Sequence, residues 1–284
     1  MISTKLRRSL LQLPFMKRAV FFVSDSTGIT VEALGHSVLS QFAGVEFVQQ
    51  TLAFVDDRKK AAEAARQIRE AVKDGERPIL FHTFADESLG AIMQESGAMV
   101  MDCLEIFTRP LETELGVKAS HSAGTSHSMR GKGYQRRIDA LNFAMDFDDG
   151  IAVRGLEQAD IILVGVSRSG KTPTSLYLAL NFGVFTANYP LVDEDLSSDK
   201  LPKALHPHRD KIYGLTIAPA RLAQIRQQRR PNSEYAELSK CEQEVRAALR
   251  LYAACDVVYF DSTHHSVEEL SSKILKESNL RHAD

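Results

Sequence analysis

The sequence has little cysteine, no long apolar run and almost no net charge. Its three cysteines lie far apart and none forms a CxxC pair, so we expect reduced, buried thiols in the cytoplasm and no disulfide framework. The apolar runs are too short to cross a bilayer, and residues 1–17 lack the features of a signal peptide, so we expect no membrane segment. A formal charge of −2 gives no excess of base for binding nucleic acid.

The remainder alternates short apolar runs with helical patterns, which is typical of α/β proteins whose parallel sheets are covered on both faces. We predict a loose extension at 1–15, an N-terminal α/β domain at 16–117, a linker with a connecting helix at 118–155, and a P-loop nucleotide-binding α/β domain at 156–284. Strands are predicted at 20–23, 47–54, 78–82, 98–103, 161–164, 184–187, 212–217 and 257–260. Helices are predicted at 31–42, 58–73, 88–95, 138–145, 172–181, 222–228, 233–254 and 267–278.

One segment carries a specific chemical pattern. Gly165-Val166-Ser167-Arg168-Ser169-Gly170-Lys171-Thr172 matches G-x-x-x-x-G-K-[ST] at every fixed position, between a predicted strand and a predicted helix. The glycines let backbone amides face one point, Lys171 supplies charge for phosphate oxygens, and Thr172 offers a hydroxyl to Mg²⁺. The alternative is a glycine turn with a surface lysine, but the strand–loop–helix context favours a P-loop. The pattern does not distinguish ADP from ATP.

Acids that could act beside this loop occur in separate places. Asp148 and Asp149 lie in an acidic cluster after a predicted helix, where crowded carboxylates can bind Mg²⁺ or serve as a general base. The alternative for them is a solvated helix end. Asp261 ends an apolar strand and is a candidate metal ligand, or else a cap for the final helix. Asp193 is an alternative metal-positioning acid.

Two further segments allow both a functional and a structural interpretation. Ser24-Asp25-Ser26-Thr27-Gly28 follows the first predicted strand, where ligands gather in doubly wound sheets, although helix capping is favoured for these residue types. A run of arginines could bind phosphate oxygens, but a solvated helix face is the more common arrangement. These arginines are Arg221, Arg226, Arg229 and Arg230.

Taken together, these segments resemble the phosphoenolpyruvate synthase regulatory protein family, whose relatives regulate pyruvate, phosphate dikinase. The resemblance extends from Met16 to near the C-terminus. It is carried by Val23–Gly28, the loop Gly165–Thr172, Asp148-Asp149-Gly150, and Gly214-Leu215-Thr216 followed by Arg226.

The resemblance implies a bifunctional serine/threonine kinase and phosphorylase. Such an enzyme inactivates phosphoenolpyruvate synthase by phosphorylating a threonine with ADP as donor, and reactivates it with inorganic phosphate, releasing pyrophosphate. ADP would bind at Gly165–Thr172. The residue patterns predict Lys171, Asp148 and Asp149 as candidate catalytic residues, and Thr172 and Asp261 as candidate Mg²⁺ ligands. The dikinase as target and an ATP-dependent small-metabolite kinase remain alternatives, and the oligomeric state stays open, a homodimer included.

Overall fold

A computed structural model describes residues 16–72, 76–120, 132–148 and 155–280. The chain divides into two units, Met1–His127 and Ser128–Asp284. Each unit contains a four-stranded parallel sheet with helices, which confirms the predicted α/β fold class. Within the described ranges, none of the helices has the length and apolar character needed to span a membrane.

The first unit is built on a sheet with the strand order β2-β1-β3-β4. Its strands are β1 (Met16–Val23), β2 (Val45–Leu52), β3 (Ile79–His82) and β4 (Met99–Asp102). Its helices are α1 (Ile29–Leu39), α2 (Arg58–Glu70), α3 (Glu87–Gln94) and α4 (Glu105–Leu115).

Strand β1 occupies the centre of this sheet because both of its faces are apolar. Val20 and Phe22 point into one buried cluster, whereas Phe21 and Val23 point into another that includes the alanine-rich face of α2. Helix α1 approaches β1 closely, since a Cβ atom at Gly35 would lie 2.1 Å from Cε1 of Phe22. The alternation of side chains along one buried strand therefore fixes helices on both sides of the sheet.

The second unit has a sheet with the strand order β6-β5-β7-β8. Its strands are β5 (Ile161–Gly165), β6 (Thr186–Pro190), β7 (Ile212–Thr216) and β8 (Tyr259–Asp261). Its helices are α5 (Lys132–Asp146), α6 (Lys171–Phe182), α7 (Asp193–Leu196), α8 (Pro219–Arg229), α9 (Leu238–Cys255) and α10 (Val267–Ser278).

Strand β5 is buried along its whole length and separates two apolar clusters. Ile162 and Val164 belong to the cluster that contains side chains of α8 and α9, and Ile161 and Leu163 to the cluster with side chains of α6 and α10. The loop that follows β5 is therefore anchored in the most buried part of the unit.

The two sheets share one strand order. In each, the first strand is central, the second lies on one side, and the third and fourth lie on the other. Each first strand leads through a loop into a helix, and each helix is preceded by a left-handed glycine, Gly28 with φ 82° and Gly170 with φ 97°. Ligands of open α/β sheets bind at the carboxyl ends of the strands, at the point where the strand order reverses.

Three segments differ from the sequence-based expectation. Helix α4 lies where the sequence predicts no element: it contains Pro110, which argues against a helix interior, and none of its side chains is buried. Helix α5, predicted within the connecting segment, packs against α6 and β6 of the second unit. The predicted helix 233–254 begins at Leu238, because Glu237 is extended and residues Glu234–Ala236 form a short 3-10 turn.

Candidate functional site

The loop between β5 and α6 has the backbone conformation of an anion cradle. Arg168 and Gly170 both lie in the left-handed region, with φ of 72° and 97°, and the amide of Ser169 donates to the carbonyl of Val166 at 3.2 Å. Left-handed residues between right-handed ones turn successive N–H groups toward a common centre. The first amides of α6 add the positive end of a 12-residue helix to this centre.

Both glycines of the motif are required by the structure. A Cβ atom at Gly165 would lie 2.6 Å from the carbonyl oxygen of Leu215 and 2.8 Å from Oγ of Ser169, so a side chain has no room there. Gly170 instead needs its freedom of φ, since a Cβ atom there would meet nothing closer than 3.7 Å. Gly165 is therefore fixed by close packing, and Gly170 by a left-handed backbone that other residues adopt only with strain.

Lys171 and Ser169 place two polar groups inside this loop. The side chain of Lys171 is 4% exposed, and its Nζ donates to the Val166 carbonyl at 3.0 Å. Ser169 is fully buried, and its Oγ has no hydrogen-bond partner in the described parts of the chain. A buried hydroxyl without a partner is costly, so it fits a site completed by phosphate oxygens.

Thr172 belongs to a hydrogen-bonded cluster with an acid that the sequence singled out. Its Oγ1 donates to Oδ1 of Asp148 at 2.9 Å, across 24 residues of chain. Asn188 completes the cluster, because its Nδ2 donates to Oγ1 of Thr172 at 3.0 Å and also to Oδ1 of Asp148. A hydroxyl and a carboxylate held together in this way are oxygen ligands of the kind that Mg²⁺ prefers.

Asn188 was missed by sequence reasoning. It lies in β6 beside β5, is 2% exposed, and its Oδ1 has no hydrogen-bond partner among the described residues. A polar residue in a short strand next to the loop strand is the signal that could have revealed it. Its amide donates to both Thr172 and Asp148 and so holds these two candidate oxygen ligands in place.

The other candidate acids have different partners. Oδ1 of Asp261 accepts the amide of Thr263 at 2.8 Å and also its hydroxyl, so this carboxylate closes the turn after β8. Asp193 forms an ion pair with Lys240 at 3.0 Å. Among the described carboxylates, Asp148 is the one hydrogen-bonded to Thr172. Asp149 lies outside the described residues.

A buried arginine supports the loop from behind. Nη2 of Arg226 donates to the Ser167 carbonyl at 3.1 Å and to Oε2 of Glu244 at 2.6 Å, while Nη1 donates to the Tyr235 carbonyl at 3.1 Å. The hydroxyls of Tyr235 and Ser167 are 2.8 Å apart. The interpretation of the arginines as a solvated face is therefore wrong for Arg226, whose side chain is 0% exposed because Glu244 neutralises it inside the protein.

Tyr252 fixes the start of the loop. Its Oη lies 3.1 Å from the carbonyl oxygen of Val164 and 3.2 Å from that of Leu215, so one hydroxyl joins the ends of β5 and β7. The aromatic ring fits because Gly214 has no side chain; a Cβ atom there would lie 2.8 Å from Cζ. Burial raises the pKa of Tyr252, which keeps the phenol protonated and able to donate.

The arrangement as a whole can hold a phosphorylated ligand. Converging amides, a helix N-terminus and the ammonium group of Lys171 provide positive charge, and the Thr172–Asp148 pair provides oxygen ligands for a cation. The structure thus brings together the predicted residues Gly165–Thr172 and Asp148. Asp261 ends β8, which β7 separates from β5, and its carboxylate closes the turn that follows, so its assignment as a metal ligand gains no support from a contact with Thr172.

Comparison with known proteins identifies the family. The kinase/pyrophosphorylase family model matches residues 20–275. A protein of Aromatoleum aromaticum is 53% identical over 266 residues, which cover 93% of this chain and 96% of that protein. A protein of Azoarcus sp. (strain BH72) is 51% identical over 93% of this chain and 96% of that protein. A protein of Marinobacter nauticus is 46% identical over 94% of this chain and 99% of that protein. All three are named "putative phosphoenolpyruvate synthase regulatory protein". The chain belongs to the kinase/pyrophosphorylase family.

Proposed function

We propose that this protein is an ADP-dependent serine/threonine kinase that inactivates phosphoenolpyruvate synthase, and a phosphorylase that reactivates it with inorganic phosphate. The observation that carries the proposal is the strand–loop–helix cradle at Gly165–Thr172, with the buried ammonium group of Lys171 inside it. The family description supports phosphoryl transfer, and the names of the relatives support the synthase as the protein substrate.

In the kinase direction, the loop amides and Lys171 bind the two phosphates of ADP. The threonine hydroxyl of the target attacks the β-phosphorus, the bond from that phosphorus to the bridging oxygen breaks, and AMP leaves. The proton of the hydroxyl passes to a nearby carboxylate, for which Asp149 and Asp148 are the candidates. Stabilisation of the charge that develops on the phosphoryl oxygens is the main catalytic contribution of such a site.

The oxygen donors of Thr172 and Asp148 fit a magnesium ion. Thr172 Oγ1 and the carboxylate of Asp148 would hold it, with Asn188 fixing both. The ion would neutralise charge on the transferred phosphoryl group. Because Asp148 already bonds to Thr172, we assign Asp148 to the metal and leave Asp149 as the favoured proton acceptor.

In the phosphorylase direction, which reactivates the synthase, inorganic phosphate takes the place of ADP as the second substrate. A phosphate oxygen attacks the phosphorus of the phosphothreonine, the bond from that phosphorus to the threonine oxygen breaks, and pyrophosphate is released. The leaving oxygen takes its proton from the carboxylic acid that served as base in the kinase direction. The same anion cradle suits phosphate as nucleophile and pyrophosphate as product.

The proposal is tested with purified phosphoenolpyruvate synthase and ADP labelled in the β-phosphate. We expect label on a threonine of the synthase, loss of synthase activity, and release of labelled pyrophosphate when phosphate is added. Pyruvate, phosphate dikinase and γ-labelled ATP with small metabolites serve as the alternative reactions. Label that appears only from ATP, or only on a metabolite, would contradict the assignment.

A further inference from the structure

A cavity of about 470 Å³ lies in the first unit. Its lining residues fall between His82 and Ser120, whereas the phosphate loop belongs to the second unit. The cavity opens where β3 and β4 end and α3 and α4 begin, and we call it the α3–α4 cavity. Its volume falls within the about 300–1,000 Å³ typical of small-molecule sites. The charged and titratable residues that line it are His82, Asp86, Glu87, Asp102, Glu105 and Arg109.

The charges around the α3–α4 cavity favour a cation. Four carboxylates face one guanidinium, and Arg109 already pairs with Oε1 of Glu105 at 2.5 Å. Burial lowers the pKa of His82 although Asp102 and Glu105 oppose this shift, so the imidazole is neutral at pH 7. Among the described residues of the lining, carboxylates therefore outnumber the one guanidinium, which disfavours phosphate-bearing ligands such as ADP.

His82 gives an independent indication of a ligand. Its side chain is 1% exposed, and Nδ1 has no hydrogen-bond partner in the described ranges. Nε2 lies 3.9 Å from Oδ2 of Asp102, beyond hydrogen-bonding distance. Leaving such a buried group unsatisfied costs stability unless a ligand or water completes it.

Two features of the surrounding elements position the imidazole beside Asp102. Gly90 of α3 lies over the ring, and a Cβ atom there would be 3.3 Å from Cε1 of His82. Asp102 uses Oδ1 to accept the amides of Leu104 and Glu105 at 2.9 Å each, so its cap leaves Oδ2 on the His82 side. A neutral imidazole and a carboxylate oxygen are thus held side by side as acceptors.

We propose that the α3–α4 cavity binds an organic cation, an ammonium or guanidinium group, through Asp102, Glu105 and the imidazole of His82. The N–H donors of such a group satisfy both the carboxylates and the acceptor nitrogen of the ring. The group is carried either by a free amine or by a lysine or arginine side chain of a protein, and both present the same chemistry. The inference is independent of phosphoryl transfer at the P-loop.

Calorimetric titration of the full-length protein tests this inference, with the imidazole signals followed by NMR. The probes are agmatine and spermidine as free cations, N-acetyl-arginine amide as a side-chain mimic, and 1,4-butanediol as a neutral control. We expect the cations to bind and to shift the His82 signals, and butanediol to do neither. Tighter binding of the free amines supports a small-molecule ligand, and tighter binding of the arginine amide supports a protein side chain.

Three variants test whether the cations bind in the α3–α4 cavity. Asp102→Asn keeps an oxygen for the helix cap but removes the charge, so we expect affinity to fall about five- to tenfold. Ala91→Leu fills the cavity from an exposed helix position and should abolish binding without unfolding the protein, which circular dichroism checks. Glu46→Gln, an exposed acid of β2, is the matched control and should bind like the wild type.

Two results would overturn the inference. One is the absence of heat and of any His82 shift with all three cations at about 10 mM, where a site with a Kd of about 1 mM would be about 90% filled. The other is binding that Asp102→Asn and Ala91→Leu leave unchanged. Because Lys171→Ala should retain cation binding, failure at this cavity is distinguishable from failure of the proposed phosphoryl transfer.

Discussion

Lys171 is the residue on which the proposed phosphate binding depends most directly. Lys171→Ala removes the ammonium group from the cradle while the loop glycines remain. We expect a loss of about 2–4 kcal/mol of transition-state stabilisation, which is a rate reduction of about thirty- to several-hundred-fold. Transfer of label from ADP to the synthase measures it, with Lys200→Ala, an exposed lysine, as control. Near-normal turnover would remove the loop from the mechanism.

Asn188 tests the assignment of the metal site. Asn188→Ala frees the Thr172 hydroxyl and the Asp148 carboxylate to move, so we expect the Mg²⁺ concentration for half-maximal transfer to rise about 10- to 100-fold. The measurement is the rate of transfer over a Mg²⁺ series. Asn181→Ala is the control, since the Asn181 amide is exposed and donates within α6 to the Tyr177 carbonyl. An unchanged Mg²⁺ requirement would return Asn188 to a purely structural role.

At the scale of elements, the loop depends on the left-handed backbone of Gly170. Gly170→Ala should cost about 1–2 kcal/mol of folding free energy, because an L side chain disfavours this conformation. Gly44→Ala is a matched control, since Gly44 has φ 92° and open space around a Cβ atom. Urea unfolding should show similar losses for both variants, but only Gly170→Ala should weaken ADP binding in calorimetry. Equal ADP affinity for both would contradict the cradle geometry.

Helices α8 and α9 support the loop through one buried ion pair. Arg226→Met leaves Glu244 buried without its partner, so we expect the free energy of unfolding to fall by about 3–5 kcal/mol. The double variant Arg226→Met, Glu244→Gln should recover much of that loss, because no charge remains buried. Urea unfolding measures both, and Arg229→Met on the exposed face of α8 is the control. A small loss for the single variant would show that the pair is solvated.

The elements and the site were predictable to different degrees. Strands such as β5, and the loop that follows it, are local patterns of apolar residues and glycines, so the sequence alone predicts them. Asn188 lies 16 residues from Thr172, and Arg226 lies 59 residues from Ser167. Such contacts depend on which strands become neighbours and which helix covers them, and no local pattern encodes that information.

At the scale of the molecule, the cysteines report whether both units are folded. Burial, with the nearby Asp102, raises the pKa of Cys103 to about 11, and burial likewise raises the pKa of Cys241. At pH 8 about one in a thousand Cys103 thiols is ionised, and the thiolate is the reactive form. Native protein should therefore react rapidly with Ellman's reagent only at the partly exposed Cys255, and denatured protein at all three cysteines. Rapid modification of a native Cys255→Ser variant would contradict the packing of one unit.

The repeated strand order has a consequence for the division of tasks within the chain. The residue after the left-handed glycine is Lys171 in the second unit and Ile29 in the first, where the side chain is 68% exposed. The two loops also differ in backbone, since Arg168 lies in the left-handed region whereas none of residues 24–27 does. One strand order appears twice in this polypeptide, but the second copy combines a left-handed residue in its loop with an ammonium group after the glycine, and the proposed diphosphate site depends on both.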